Sequence, residues 1–205
     1  MYFTDRIDAA YQLRSHLSKY KGANTVVLAI PRGGVPIGCE LASYLGASLD
    51  LLMSKKIGAP GNPEYAIGAV CMEGAIIEDR FGIDEVYIRE ETNAIRKQLQ
   101  ERYRLFRGGK APLSLKNKTV IITDDGIATG RTLLAAIPPL RKQEPRLIVI
   151  AAPVCSVEAR NRLLPLVDDL VCCYFPDPFI GVARFYTNFA QVEDEEVIAL
   201  LRKFN

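Results

Sequence analysis

The run TVIITDDGIATGRTLLAAI, Thr119–Ile137, restricts the fold of this chain more than any other stretch. Its opening is β-branched and apolar with no polar alternation, which predicts a strand covered on both faces, as in a parallel sheet. Two acids, Asp124 and Asp125, end that strand. A loop rich in small residues follows, and the sequence next predicts a helix over Gly130–Arg141. The free amides and dipole of a helix N-terminus make a cradle for an anion. Gly130 lets the backbone approach that anion closely. Thr129 and Thr132 add hydroxyls, and Arg131 adds positive charge. Two carboxylates beside such a cradle would repel its ligand unless they face another part of it. A vicinal diol needs paired acceptors. The residues therefore predict a sugar phosphate, with phosphate on the loop and sugar hydroxyls on Asp124 and Asp125. The GxxxxGK[ST] spacing of a Walker loop is absent. A bare Asp-Asp-Gly would be only a turn after a strand.

The flanking sequence supplies the scaffold. A helix is predicted over Thr4–Lys19, with Thr4 or Asp5 as its cap. TVVLAI, Thr25–Ile30, is a second continuous apolar run, leading through PRGGVPIG into a helix over Val35–Leu45 that Gly46 stops. SLDLLMSKK reads as a strand ending in Lys55 and Lys56. Residues Ile57–Lys118 read as an excursion from the core: a hairpin turning at Glu73-Gly74, a long charged helix in IDEVYIREETNAIRKQLQERYRLFR, and a glycine-rich basic return. The core resumes with TVIITDD, RLIVIAAPV, a helix over Ser156–Leu164, the strand DDLVCCYF and a helix over Glu193–Phe204. Alternating strands and helices predict an α/β fold, a parallel sheet flanked by helices. Ligands in such sheets bind at the carboxyl ends of the strands. The loops after Ile30, Thr123 and Phe175 are expected to meet there.

Several classes are disfavoured. The 205 residues suit a single α/β domain, 1–205. With 26 basic and 24 acidic residues the net charge is +2, which gives no reason to expect nucleic-acid or membrane partners. No apolar run approaches the ~20 residues of a membrane span, and the acidic N-terminus lacks a signal peptide's apolar centre. A cytoplasmic location is expected. Cys39, Cys71, Cys155, Cys172 and Cys173 form no CxxC pair and predict buried reduced thiols. His16 is the only histidine, which argues against a His-based triad or a multi-His metal site.

VIITDDGIATGRTL resembles the phosphoribosyl pyrophosphate (PRPP) motif of type I phosphoribosyltransferases. The arrangement PRGG … KKIGAPGNPEYAIGAV … DDGIATGRT resembles a group of bacterial members with undefined substrate. The resemblance implies a type I phosphoribosyltransferase fold with a flexible excursion and a small hood. Asp124 and Asp125 would bind the ribose 2- and 3-hydroxyls, and Ala128–Thr132 the 5-phosphate. Pro31-Arg32-Gly33-Gly34 would hold pyrophosphate through backbone amides and Arg32, and family members often carry a non-proline cis peptide there. Lys56, or else Lys55, would reach the pyrophosphate. The implied reaction moves phosphoribosyl from PRPP to a nitrogen of a nucleobase-like acceptor and releases pyrophosphate. Mg2+ would be held mainly by ligand oxygens and water, with no protein metal site. YRLFRGGKAPL resembles the loop that closes over PRPP, with Arg104, Arg107 and Lys110 as its cations; it also reads as an ordinary solvated loop. A dimer is common in the family, and the sequence does not show an oligomeric state.

The pattern departs at Ala128, where 6-oxopurine enzymes place an acid that handles the base proton. Hypoxanthine or guanine salvage by the usual mechanism is therefore disfavoured. In YFPDPFIGVARFY, Phe179 and Ile180 match a base-stacking position, while Phe179 also reads as core; Tyr186 and Asp177 are weaker base-site candidates. The second function is a non-catalytic PRPP- or nucleotide-sensing regulatory module of the same fold. A phosphatase or kinase using Asp124 explains the loop poorly.

Overall fold

The computed structural model describes residues 2–22, 24–72, 74–77 and 82–204, without the side chains of Pro63 and Glu64. In chain order the elements are α1 (Arg6–Arg14), a tighter 3-10 turn over Ser15–Tyr20, β1 (Thr25–Ala29), α2 (Gly34–Leu45), β2 (Ser48–Leu51), β3 (Ser54–Ala59), β4 (Asn62–Cys71) and β5 (Ala75–Ile77). They continue with α3 (Glu85–Arg107), β6 (Thr119–Thr123), α4 (Arg131–Arg141), β7 (Leu147–Val154), α5 (Val157–Leu163), β8 (Asp169–Tyr174) and α6 (Asp194–Phe204). Asp5 caps α1, its carboxylate accepting the amides of Ile7 and Asp8.

Five strands form a parallel sheet in the order β2-β1-β6-β7-β8. Their continuous apolar sequence is explained by cover on both faces. On one face Val27, Ala29 and Ile121 pack with Leu41, Leu45, Ile95 and Leu201 from α2, α3 and α6. On the other, Val26, Leu28, Val120 and Ile122 pack with Leu133, Ile137 and Leu163 from α4 and α5. Burial of each such aliphatic side chain contributes about 1.5–3 kcal/mol.

α2 and α4 thus cover opposite faces, and the strand order reverses between β1 and β6. Ala29 pairs with Thr123 at the carboxyl ends of those two strands. That is the crevice where sheets of this kind take ligands.

The excursion differs from the sequence expectation. SLDLLMSKK is not one strand. β2 stops at Leu51, and Leu52 and Met53 are drawn into the cores on opposite faces of the sheet. β3 then starts a separate antiparallel sheet, β3-β4-β5. Lys55 and Lys56 open β3 instead of closing β2, and the excursion begins at Ser54 instead of Ile57. Glu73 of the expected hairpin turn lies outside the described residues; the amide of Cys71 donates to Gly74 O across that hairpin.

α3 lies along β3 and α6. Tyr87 Oη donates to Gly58 O at 2.9 Å, Lys55 Nζ to Gln98 Oε1 at 2.9 Å, and Arg102 pairs with Asp194. At its C-terminal end Arg107 is buried against Asp50 of β2, with Nε 3.2 Å from Oδ1. Arg107 is therefore a core ion pair and not a cation of a mobile lid.

Cys71 and Cys155 are buried, Cys39, Cys172 and Cys173 are half-buried, and none of the five is in a disulfide. His16 is exposed. Among the described residues, no helix is long and apolar enough to cross a membrane.

Candidate functional site

Asp124 and Asp125 leave the carboxyl end of β6 half-buried. Asp124 Oδ1 accepts the amide of Asp125 at 2.8 Å. Arg6, at the start of α1, donates Nε and Nη2 to Asp125 Oδ2 at 2.9 and 2.8 Å. Tyr186 Oη donates to the Asp125 carbonyl at 2.6 Å. Each carboxylate keeps one oxygen, Asp124 Oδ2 and Asp125 Oδ1, with no hydrogen-bond partner among the described residues. Burial, reinforced by the Asp125 charge, pushes the Asp124 carboxyl well above its ordinary range. Burial also raises Asp125, with the Arg6 cation pulling against it. Tyr186 is pushed up by burial and by the Asp125 charge.

The turn after β1 meets the acids directly. Its Pro31–Arg32 peptide is cis, at the position the resemblance implied. Gly33 has no space for a side chain: a Cβ there would lie 1.9 Å from Asp125 Oδ2. A Cβ on Gly34 would lie 2.8 Å from Thr123 O. Only glycine lets this turn lie against the end of β6. The Gly34 amide donates to Ile30 O, so it is spent inside the turn. Those of Arg32 and Gly33 donate to no backbone carbonyl or side chain among the described residues. Arg32 turns its Nη1 to Glu193 Oε2 at 3.0 Å and lies 3.5 Å from Asp194 Oδ1.

The loop from Gly126 to Gly130 is stitched to the neighbouring strand. Ile127 N donates to Val154 O, Ser156 N to Ile127 O, and Ser156 Oγ to Ala128 O at 2.5 Å. The amides of Ala128, Thr129 and Gly130 donate to nothing among the described residues. Gly130 caps α4 with φ +68°, the left-handed region that suits glycine. With Ile30 and Asp124, the residues from Ala128 to Thr132 line a hollow of about 110 Å3. Free amides at a helix N-terminus are donors of the kind that suit an anion. Arg131 is exposed and donates Nη1 to Ala66 O at 3.2 Å, tying the start of α4 to β4.

The third loop arrives indirectly. β7 separates β6 from β8, and β8 ends at Tyr174. The chain returns through the 3-10 turn Val182–Phe185, which brings Tyr186 to Asp125. Val182 also crowds Gly126, where an added Cβ would lie 2.6 Å from its Cγ1. Phe179 is half-buried and packs on Phe185, with ring centroids 5.3 Å apart, so its core reading holds in this conformation. Ile180 is 76% exposed and Asp177 is exposed.

Other expected residues lie elsewhere. Lys56 is exposed on β3 opposite Ala69. Arg104 and Lys110 line a separate hollow of about 330 Å3 with Met72, Gln100, Tyr103 and Pro112 at the foot of the excursion. The Ala66 contact to Arg131, well along β4, ties the excursion to the start of α4. The sequence reading missed Arg6 and Ser156. Ser156 could have been found as a serine at a helix N-cap; nothing in TDRIDAA marks Arg6.

The crevice brings together two half-buried acids, a glycine turn and a loop with uncommitted amides at a helix N-terminus. The family model described as phosphoribosyl transferase domain matches residues 3–177, and the chain belongs to that family. Two curated relatives from Mycobacterium tuberculosis strains, each named "Putative phosphoribosyl transferase", are 38% identical over 208 residues, 97% of this chain and 46% of theirs. The chain thus spans about half the length of the curated relatives it matches. The crystal structure of TT1426 from Thermus thermophilus is similar at 36% identity, with a TM-score of 0.86, over 100% of this chain and 99% of that one. A purine phosphoribosyltransferase from Pyrococcus horikoshii shares the fold at 20% identity and a TM-score of 0.51, over 94% and 97% of the two chains.

Proposed function

We propose that residues 1–205 act as one phosphoribosyltransferase domain. It would move the phosphoribosyl group of PRPP to a nitrogen of a nucleobase-like acceptor and release pyrophosphate. The observation that carries this reading is one crevice holding three uncommitted loop amides and two carboxylates with one open oxygen each. The amides, with the hydroxyls of Thr129 and Thr132, would hold the 5-phosphate. Asp124 Oδ2 and Asp125 Oδ1 would each accept one ribose hydroxyl. The amides of Arg32 and Gly33 would face the pyrophosphate, and Arg32 joins them once it leaves Glu193. Lys56 would need the β3–β4 hairpin to move before it could take part.

In the reaction the bond from the anomeric carbon to pyrophosphate breaks and a bond to the acceptor nitrogen forms, with loss of a proton from that nitrogen. The work of the chain is to position the sugar, stabilise the leaving group and exclude water. Ala128 offers no carboxylate for the acceptor proton. This favours an acceptor whose nitrogen is already deprotonated or loses its proton to solvent. Phe179 and Ile180 would border the acceptor after Phe179 releases Phe185. Among the described residues no three His, Cys, Asp or Glu side chains cluster to hold a metal. Mg2+ would arrive on PRPP and neutralise pyrophosphate charge.

A second reading, a non-catalytic PRPP or nucleotide sensor, is favoured by the packing of Phe179 on Phe185, which withholds the stacking aromatic. Calorimetric titration of Mg-PRPP tests the shared basis of both. Wild type should bind, and Asp124→Asn/Asp125→Asn should lose about 3 kcal/mol or more, roughly a hundredfold. Absence of binding to wild type would remove both readings. Pyrophosphate release with a panel of nucleobases then separates enzyme from sensor.

A further inference from the structure

We propose that Arg6 is a positioning residue for the sugar-diol subsite, holding Asp125 in one orientation and as an anion. The inference rests on the reading of Asp124 and Asp125 as diol acceptors.

Arg6 is itself tightly held. Nη1 donates to Ala190 O at 2.7 Å, and the guanidinium sits 4.0 Å from the centroid of the Phe189 ring. Its side chain is 12% exposed and that of Asp125 14%. The position is costly for the helix, because Arg6 is the first residue of α1 and a cation there opposes the helix dipole. Helix stability therefore does not account for an arginine at this site; its partner across the crevice does.

Both Nε and Nη2 converge on one oxygen, Asp125 Oδ2. That oxygen occupies the space a Gly33 side chain would fill. Oδ2 is thus clamped between a guanidinium and a bare backbone, and only Oδ1 is left for a ligand. The amide bond to Asp124 Oδ1 does the same for its neighbour. Two oxygens remain for two hydroxyls.

The charge matters equally. Two adjacent half-buried carboxylates favour sharing a proton, and a protonated carboxyl would present a donor where the diol needs an acceptor. The groups facing Asp125 are Asp124 from its own loop, Arg6 from α1 and the Tyr186 hydroxyl on its carbonyl. The turn after β1 offers only the Gly33 backbone, because Arg32 is turned to Glu193. Arg6 is the cation that opposes the repulsion between the acids.

The test compares wild type with Arg6→Ala and Arg6→Lys by calorimetric titration of Mg-PRPP near pH 6 and near pH 8. Carboxyl 13C NMR titration of the acid pair and thermal melts accompany it. Arg6→Ala should weaken PRPP about tenfold or more near pH 6 and recover part of the loss near pH 8. Arg6→Lys should stay much closer to wild type. The titration midpoint of the pair should rise by about one unit in Arg6→Ala. If Arg6→Ala fails to fold, Arg6→Gln, which keeps contact with Phe189 and drops the charge, carries the same readings. Wild-type affinity at both pH values, or an unchanged carboxyl titration, would overturn the proposal. If wild type itself does not bind PRPP, the diol reading falls, and the ligand-free carboxyl titration still decides whether Arg6 holds Asp125 ionised.

Discussion

Asp50 and Asp125 both face an arginine in the interior, and they differ in what each has left to give. Asp50 Oδ1 accepts from the Tyr103 hydroxyl and the Leu51 amide and pairs with Arg107, while Oδ2 accepts from the Leu113 amide. Its capacity is used, and the result ties β2, α3 and the return loop together. Asp125 spends Oδ2 on Arg6 and keeps Oδ1 open at the crevice between β1 and β6. A saturated buried acid holds a fold together, whereas one kept short of saturation is available to a ligand.

The largest expected effect tests the saturated side. Asp50→Ala removes the carboxylate that pairs with buried Arg107 and should cost about 3–5 kcal/mol in denaturant unfolding. A loss under about 1 kcal/mol would break the comparison, since full hydrogen bonding would then say nothing about structural duty. Next comes Gly33→Ala, whose methyl group competes with Asp125 Oδ2 for the same space. It should cost about 1–3 kcal/mol of stability and, in the same protein, weaken Mg-PRPP in calorimetry about tenfold or more.

A smaller effect concerns pH. Asp124 and Asp125 both titrate higher in the folded chain than in the unfolded one. Above about pH 4, where unfolded carboxyls ionise, the folded pair, chiefly through Asp124, still binds a proton the unfolded chain has lost. Their contribution to stability therefore falls as pH rises toward the folded values. Melting of Asp124→Asn/Asp125→Asn against wild type should show a gap that moves in the variant's favour as pH rises above about 4. The smallest effect is a near-silence. Arg104→Ala with Lys110→Ala should change PRPP affinity by no more than about 0.5 kcal/mol, and a tenfold loss in calorimetry would restore those cations to the site.

What the sequence revealed follows the range of the forces involved. β6, its two acids and the start of α4 are contiguous, and burial on both faces writes itself as an unbroken apolar run. Local order therefore announced the phosphate loop. β3 was hidden because SLDLLMSKK looks like one strand. Its division depends on which face swallows Leu52 and which Met53, a decision made by helices distant in sequence. Arg107 looked like one of several solvated cations at a helix end, because its partner sits in a strand more than fifty residues earlier. Arg6 is the extreme case, 119 positions away from Asp125 in sequence. It reads as part of a polar helix face until the crevice closes around it.

The pairing of β1 with β6 also sets an order of assembly. Thr25 aligns with Thr119, and the whole excursion lies between them. The entropy of closing so long a loop grows only slowly with its length, but it must be met before the contact returns anything. Pairings this distant make folding slow. On the ribosome the glycine turn emerges well before the acids it will lie against. Until β6 arrives, β1 presents an unpaired edge and uncovered apolar side chains, the kind of surface that aggregates or recruits chaperones. The crevice is thus a late product of folding, and conditions that slow closure of the excursion should withhold ligand binding before they abolish secondary structure.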